Sequence, residues 1–516
     1  MNNSFAGKRV VVMGLGRFGG GVGAVRWLAE QSARVLVTDL ACAADLADPL
    51  DAIRDLLDAG RVELRLGGHD TADFRGVDLV VVSPAVVKPW ENPFILTAVE
   101  SGARITTEIR LLVERLPRRG RVIGVTGTAG KSTTAAMIAH ILRSVCAPAP
   151  QSPERKRGVA ADPANGRDAR STDATNGRDA RSTGGARVWL GGNIGGSLLP
   201  RAAEIGPDDW VVLELSSAML YWLGDWFVGR TDEAGFSPHV AVVTNITPNH
   251  LDWHGDFAQY AACKANITAF QSSGDRVVGG DAGADGPRTI NADKIEPLAV
   301  IGAHNHRNAA LAVAGVTGAL AARGVDDRGR AARALVTFSG LPHRLQRVAE
   351  APRDHGVIRA FNDSKCTTPE AAALAVRAFD ESSVNSGTGV SPVEKSVLPV
   401  YLIAGGYDKG VDLSPMIAEA ARCRAVYTIG ATGSTITRLV RDAGGRAEEC
   451  STLDRAVARA LAAAGPGDVI LLSPGCASWG QFTNYEERGR RFTNLVRAGL
   501  GLGPAPEPVF VMPAQV

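Results

Sequence analysis

The stretch Val122-Ile-Gly-Val-Thr-Gly-Thr-Ala-Gly-Lys-Ser-Thr-Thr134 decides how the rest of the chain is read. Its apolar run, Val122 to Val125, predicts a short buried strand. Gly127 and Gly130 bracket a turn, and Lys131-Ser132-Thr133 opens an Ala-rich segment, Thr134 to Leu142, with the character of a helix. Strand, glycine turn, Lys-Ser-Thr and helix make a phosphate cradle. Glycines let the backbone approach an anion, and the amides at the helix start point at its oxygens. The lysine adds a point charge, and a hydroxyl beside it can hold Mg²⁺. The spacing is Gly-x-x-Gly-Lys-Ser, shorter than the Walker form. A tight turn that merely joins strand to helix is the bland alternative; the full strand–loop–helix context favours nucleotide phosphate.

Upstream, residues 8–14 predict a first strand, followed directly by Gly14-Leu-Gly-Arg-Phe-Gly19. A helix pattern ends near Gln31, and Ala33 to Asp39 reads as the next strand. Gly-x-Gly-x-x-Gly with an acidic residue at the following strand end suits a nucleotide-like ligand, its phosphate at the helix start and its ribose or base near Asp39. Leu79 to Pro84 is another strand running into a polar turn at Ser83. Downstream, Trp210-Val-Val-Leu-Glu-Leu-Ser-Ser217 carries Glu214 into an apolar run, where a carboxylate is costly unless paired or bound to metal. Val240 to His250 is a strand ending in a polar turn, and Lys264 sits in a helical pattern after Tyr260. Strands alternating with helices predict parallel sheets.

A chain of 516 residues is expected to hold about three domains. The expected divisions are 1–118, a Rossmann-like unit; 119–341, a P-loop ATPase-type parallel sheet; and 342–516, a second Rossmann-like unit, the whole being α/β. Residues 147–186 contain NGRDARST twice and almost no apolar side chains, which reads as a disordered surface insertion. Residues 381–397 read as a second polar loop, and the Pro-rich end from Gly501 as a frayed tail. Net charge is +2 with no long basic run, which points away from nucleic acid and membrane surfaces. Seven cysteines without a CxxC pair argue for a reducing compartment and against a disulfide framework or zinc site. No signal-peptide pattern opens the chain and no apolar run is long enough to span a membrane, so a cytoplasmic protein is expected.

Lys131, Ser132, Thr133, Glu214, His250 and Lys264 together are what Mg²⁺–ATP chemistry needs: amides and lysine for phosphate charge, hard or imidazole ligands for metal. The third unit adds three polar loops at strand ends: Asn362 to Pro369, Gly405 to Gly410 and Ser473 to Phe482. Their cationic and hydroxyl groups suggest a site for an anionic second substrate. Capping of helix starts by Asp363, Ser364 and Ser473 is the alternative use of those side chains.

At this point the chain resembles a known family. GVTGTAGKST (124–133), GGNIG (191–195), LELSS (213–217), TNITPNHLDWH (244–254), the Lys264 segment, GAHNHRNAALA (302–312), LPHR (341–344), NDSKCTTPEA (362–371), AGGYDKG (404–410) and LLSPGCASWGQFTNYEERGRRF (471–492) occur in the order expected of the Mur ligases. NDSK-x-T and SPGCASWGQF look like the branch that adds D-glutamate to UDP-N-acetylmuramoyl-L-alanine; the Asp-Asn-Pro-Arg motif of the diaminopimelate- or lysine-adding branch is absent. The resemblance implies peptidoglycan precursor synthesis with ATP and Mg²⁺, small-molecule substrates and a monomer. Another Mur ligase, or an amide ligase like folylpolyglutamate synthase, is the alternative.

The resemblance also implies roles. Gly127, Thr128, Ala129, Gly130, Lys131, Ser132 and Thr133 would hold ATP phosphates, Asn305 and Asn308 would touch the adenine side, and Arg344 and Asp363 would lie near ATP. Ser132 and Glu214 would share one Mg²⁺ and His250 would hold a second. Lys264 is the position that the family carbamylates, which turns a cation into a metal-directed anion. Gly14, Leu15, Gly16, Asp39 and Ser83 would hold the UDP end, with Asn193 at the muramoyl or metal-phosphate region. Lys365, Thr368, Lys409, Ser478, Trp479 and Tyr485 would surround D-glutamate. Three positions depart from the family pattern: Ala129 replaces an Asn, Leu-Ala follows Asp39 in place of Thr-Arg, and Ser83-Pro-Ala85 replaces Ser-Pro-Gly.

Overall fold

The computed structural model describes residues 5–16, 19–146, 186–224, 235–280, 298, 300, 302–321, 328–353, 355–380 and 397–504. The two polar insertions expected at 147–186 and 381–397 lie outside the described residues except at their last positions, as does most of the tail. Three sheets, each built by a consecutive stretch of chain, make a mixed α/β architecture.

The first sheet holds β1 (Arg9–Met13), β2 (Arg34–Asp39), β3 (Val62–Leu66), β4 (Leu79–Val82) and β5 (Arg104–Thr106) in the order β3-β2-β1-β4-β5, all parallel. Strands such as β1 (RVVVM) and β4 (LVVV) are apolar along their length because helices cover both faces of a parallel sheet. The strand order reverses between β1 and β4, which opens a crevice at their C-terminal ends. The glycine turn after β1 and Ser83 after β4 border that crevice.

The second sheet holds β6 (Val122–Thr126), β7 (Val188–Gly192), β8 (Trp210–Glu214), β9 (Val240–Val243) and β10 (Arg276–Gly279), also parallel, in the order β10-β9-β6-β8-β7. Here β6 is central, with β8 on one side and β9 on the other. The loops leaving those three strands are therefore neighbours, although far apart in sequence.

The third sheet holds β11 (Gln346–Arg353), β12 (Gly356–Asn362), β13 (Leu398–Gly405), β14 (Cys423–Ile429), β15 (Ala447–Ser451) and β16 (Val469–Leu472) in the order β11-β12-β16-β13-β14-β15. It is parallel except for β11, which runs antiparallel to β12 at the edge. The ends of β12, β16 and β13 lie side by side, so its three polar loops converge. Among the described residues no helix is long and apolar enough to cross a membrane.

Candidate active site

The phosphate loop leaves β6 at Gly127 and enters the helix Lys131–Cys146, which starts three residues earlier than the Ala-rich pattern suggests. The loop requires its glycines. Gly127 (φ 145°) and Gly130 (φ 82°) adopt left-handed backbone, and a Cβ on them would lie 1.9 Å from Thr244 Oγ1 and 2.4 Å from Asn308 Oδ1. Both flanking loops hold the turn. Ala129 N donates to Asn245 Oδ1 at 3.0 Å, and Ala129 O accepts from Thr244 Oγ1 at 2.6 Å. The Thr128 hydroxyl reaches Thr247 O at 3.0 Å and the Tyr260 hydroxyl at 2.9 Å. Thr244, Asn245 and Tyr260 carry no role in the sequence reading; the Thr-Asn at the end of an apolar run is the signal that was available.

Lys131 donates to Thr128 O at 2.9 Å, and burial lowers its pKa against the pull of Glu214. Glu214 ends β8 and is 1% exposed. Its Oε1 accepts from Asn193 Nδ2 at 2.9 Å, while the buried Oε2 has no partner. An orphaned carboxylate oxygen near a lysine is chemically suited to a hard cation, since leaving it unmet would cost several kcal/mol. Among the described residues no cluster of three or more His, Cys, Asp or Glu side chains forms a protein-only metal cage. Any cation here therefore takes further oxygens from a ligand or water.

His250 lies in the loop after β9, exposed and in left-handed backbone (φ 52°). Partial burial, with Lys131 and Lys264 nearby, holds its pKa below the usual imidazole value. Lys264, from the helix Phe257–Ala269, is 2% exposed; its Nζ donates to Gly127 O at 2.8 Å and sits 4.8 Å from the Tyr260 ring centre. Burial, reinforced by Lys131, pushes its pKa down to about 7. Asn305 and Asn308 come from the start of the helix Ala303–Ala321; Asn308 packs against Gly130.

The third unit approaches this centre through Arg344, whose Nη2 donates to Ser132 Oγ at 3.3 Å. Lys365 is close enough to Glu214 and Arg344 for both charges to act on it, and its ammonium lies 5.0 Å from the Tyr485 ring centre. Lys409 lies 4.9 Å from the Trp479 ring centre, on the neighbouring loop, and Ser478 is buried beside it. Asp363 does not point to a helix start: it accepts from Leu345 N at 3.1 Å and Ser473 Oγ at 2.9 Å, and burial pushes its pKa up to about 7. Thr368 is the residue that caps a helix there, accepting from Ala371 N at 3.4 Å.

In the first unit, Asp39 accepts from Gly16 N at 3.1 Å and Ala41 N at 2.9 Å, so its carboxylate shapes the glycine turn. Ser83 N donates to Met13 O at 2.8 Å, which sets Ser83 against Gly14, where a Cβ would lie 2.8 Å from the serine Cβ. Asn193 bonds to Glu214, through Nδ2 to Oε1 at 2.9 Å and through its backbone N to Glu214 O at 2.8 Å.

Three family descriptions match the chain in order: the Mur ligase MurD-like N-terminal domain over residues 8–107, the Mur ligase middle domain over 207–285 and the Mur ligase glutamate ligase domain over 343–476. The chain belongs to the Mur ligases, ATP-dependent enzymes that form amide bonds. Within that family, eight of its curated relatives carry the name UDP-N-acetylmuramoylalanine–D-glutamate ligase. The protein of Roseiflexus sp. (strain RS-1) is 32% identical, covering 96% of this chain and 99% of its own length. That of Zymomonas mobilis is 33% identical, covering 96% and 98%. Among solved structures, the UDP-N-acetylmuramate–alanine ligase of Thermotoga maritima is similar at 19% identity and a TM-score of 0.48, covering 95% of this chain and 99% of that one.

Proposed function

We propose that the chain adds D-glutamate to UDP-N-acetylmuramoyl-L-alanine, driven by ATP, in cytoplasmic peptidoglycan precursor synthesis. The observation that carries the reading is the meeting of three strand ends, where the phosphate loop of β6 lies between Glu214 of β8 and the His250 loop of β9. A carboxylate does not react with an amine until one of its oxygens becomes a leaving group. The L-alanine carboxylate oxygen attacks the γ-phosphorus of ATP, the bond to the β-phosphate oxygen breaks, and ADP departs. The D-glutamate amine then attacks the acyl-phosphate carbon. The tetrahedral intermediate collapses with loss of a proton from nitrogen and of inorganic phosphate from carbon.

Each residue has a task in this scheme. Loop amides and Lys131 neutralise the β- and γ-phosphates. Ser132 and Glu214, with its unmet Oε2, would hold one Mg²⁺ and His250 a second; bound there, Mg²⁺ spreads the charge that develops on the transferred phosphoryl group. A Lys264 pKa of about 7 leaves much of the amine neutral, the form that CO₂ carbamylates. Asn193 orients the Glu214 carboxylate through its 2.9 Å hydrogen bond. Gly14, Leu15, Gly16, Asp39 and Ser83 receive the UDP end, Asn305 and Asn308 the adenine side, and the cleft bearing Lys365, Lys409, Ser478 and Trp479 the amino acid. Domain limits near 118 and 341 and a monomeric state complete the reading.

A phosphate-release assay tests it, with UDP-N-acetylmuramoyl-L-alanine and a panel of D- and L-amino acids. Release is expected only with acceptor and amine together, and with D-glutamate preferred. Release from ATP alone would replace the ligase reading with a nucleotide switch; preference for another amino acid would move the chain to another branch.

A further inference from the structure

The segment ERGRR at 487–491 is charged at four of its five positions, yet Arg488 is 0% exposed. It projects from the helix Tyr485–Gly499 beneath the three converging loops of the third sheet. Its Nε donates to Ser364 Oγ at 3.0 Å and its Nη2 to Ser364 O at 2.8 Å, a fork on the loop after β12. Its Nη1 donates to Cys476 O at 3.1 Å, on the loop after β16. The same nitrogen would lie 3.2 Å from a Cβ on Gly406, so only a glycine lets the loop after β13 come this close. One side chain thus reaches all three loops.

Every oxygen that meets this guanidinium is neutral, and among the described residues no carboxylate lies at ion-pair distance from it. The nearby thiols of Cys366 and Cys476 are pushed up by burial and stay uncharged. A buried cation is costly unless an anion compensates it. Among the described residues no carboxylate pairs with it, and the loops above it carry Lys365, with Glu486 and Glu214 near enough to act on it, and Lys409 next to Asp408.

We propose that Arg488 is a positioning residue for the acidic amino-acid substrate: it fixes the loops after β12, β13 and β16 in register and adds a positive charge beneath them that no described carboxylate pairs with directly. Each anchor lies next to a residue of the cleft in sequence, Ser364 beside Lys365 and Cys476 near Ser478. The function follows from the charge as well as the geometry, because a buried guanidinium met only by neutral oxygens adds positive potential beneath the loops that would receive a dicarboxylate. The inference rests on the reading of that cleft as the amino-acid site.

The test is steady-state kinetics of the full-length Arg488→Lys, Arg488→Met and Ser364→Ala enzymes, with Tm measured alongside. Arg488→Lys keeps charge and loses the fork; its KM for D-glutamate is expected to rise about tenfold or more. Its KM values for ATP and the UDP substrate should stay within about twofold of wild type. Arg488→Met should raise the D-glutamate KM further. Ser364→Ala keeps the charge and the backbone acceptor but removes the hydroxyl that meets Arg488 Nε and bonds Tyr485 O, and it should move the same constant by about threefold with a smaller loss of Tm than Arg488→Met. It decides the matter if the arginine variants do not fold. A D-glutamate KM that stays at wild type in Ser364→Ala and Arg488→Lys, or three KM values rising together as Tm falls, would overturn the proposal. A wild-type enzyme that ignores D-glutamate would overturn the reaction assignment itself before any variant is compared.

Discussion

Between the first and central units the contact is apolar and continuous. One buried cluster runs from Val10, Val25 and Ile109 to Leu199, Leu213 and Ile267, and a second from Val80 and Ile95 to Tyr221, Trp253 and Cys263. Between the central and third units no buried cluster is shared among the described residues; the third unit's apolar side chains gather in two clusters of their own. There the contact is polar, from Arg344 to Ser132, across a linker in which His343 (φ 61°) and Leu345 (φ 43°) both hold left-handed backbone. Separating an apolar interface exposes area at about 25 cal/mol per Å², whereas a hydrogen bond at a wet cleft exchanges readily with water. The difference predicts that the first two units move as one body, while the third, held by a polar contact and a linker, is the one with freedom to move against them.

The largest expected effect concerns the centre that both joins serve. Lys131→Ala should lower turnover by at least about a thousandfold, because a charge aimed at the developing phosphate anion is lost. Its Tm should barely move, since Lys131 contributes one backbone hydrogen bond to the fold. Phosphate release with all three substrates measures the first, calorimetry the second. Wild-type-like turnover would remove the lysine from the mechanism.

Next comes the apolar join. Trp253 is 7% exposed, packs at 5.8 Å from Trp90 and 5.6 Å from Tyr221 between ring centres, and donates from Nε1 to Pro84 O at 3.1 Å. Trp253→Ala should cost about 3–5 kcal/mol, with first and central units still melting together. An unchanged Tm, or two separated transitions in the wild-type protein, would break the one-body picture.

What the sequence revealed follows the same division between local and distant causes. The phosphate loop was legible because its strand, glycines and Lys-Ser lie within one short stretch. Glu214 was legible because a carboxylate inside an apolar run needs a reason. Asn245 was not, because its bond to Ala129 exists only where β9 lies beside β6. The edge strand β11 was missed: QRVAEAPR has charges and Pro352, which fit a sheet edge and mask the strand pattern. The helix holding Asn305 and Asn308 begins in His/Asn-rich sequence that favours turns when read alone. Arg488 stands among exposed-looking charges, and only packing shows that it is buried.

A smaller, pH-dependent effect sharpens the apolar join. Glu108 opens the helix Glu108–Val113, is 8% exposed, and accepts a hydrogen bond from Ser197 Oγ of the central unit. Burial raises its pKa from 4.5 to about 7. A raised carboxyl pKa means that the folded protein holds this proton more tightly than the unfolded chain. The stability it contributes is complete below about pH 4.5 and is lost as pH rises through about 7. Relative to Glu108→Gln, which keeps a hydrogen-bonding side chain without titrating, the wild-type protein should lose at most about 3 kcal/mol between those limits. Urea unfolding at pH 5 and pH 8 measures it. Parallel pH dependences in the two proteins would show that Glu108 ionises freely and that this interface is wet.

The smallest effect on stability belongs to the polar join, and it separates the two interfaces most sharply. Arg344→Ala removes the 3.3 Å contact with Ser132 but no apolar burial. Unfolding free energy should change by less than about 1 kcal/mol, while turnover falls by about tenfold, because a closed geometry that is no longer held is sampled less often. Small-angle scattering with a non-hydrolysable ATP analogue and both substrates should show the wild-type protein contracting and the variant contracting less. The linker then has a mechanical part as well: Leu345 N is tied to Asp363, so the left-handed turn around Arg344 is held from the third unit and travels with it. If Arg344→Ala instead lowered Tm as far as Trp253→Ala does, the third unit would be packed on the central one as firmly as the first, and closure would have to come from elsewhere in the chain.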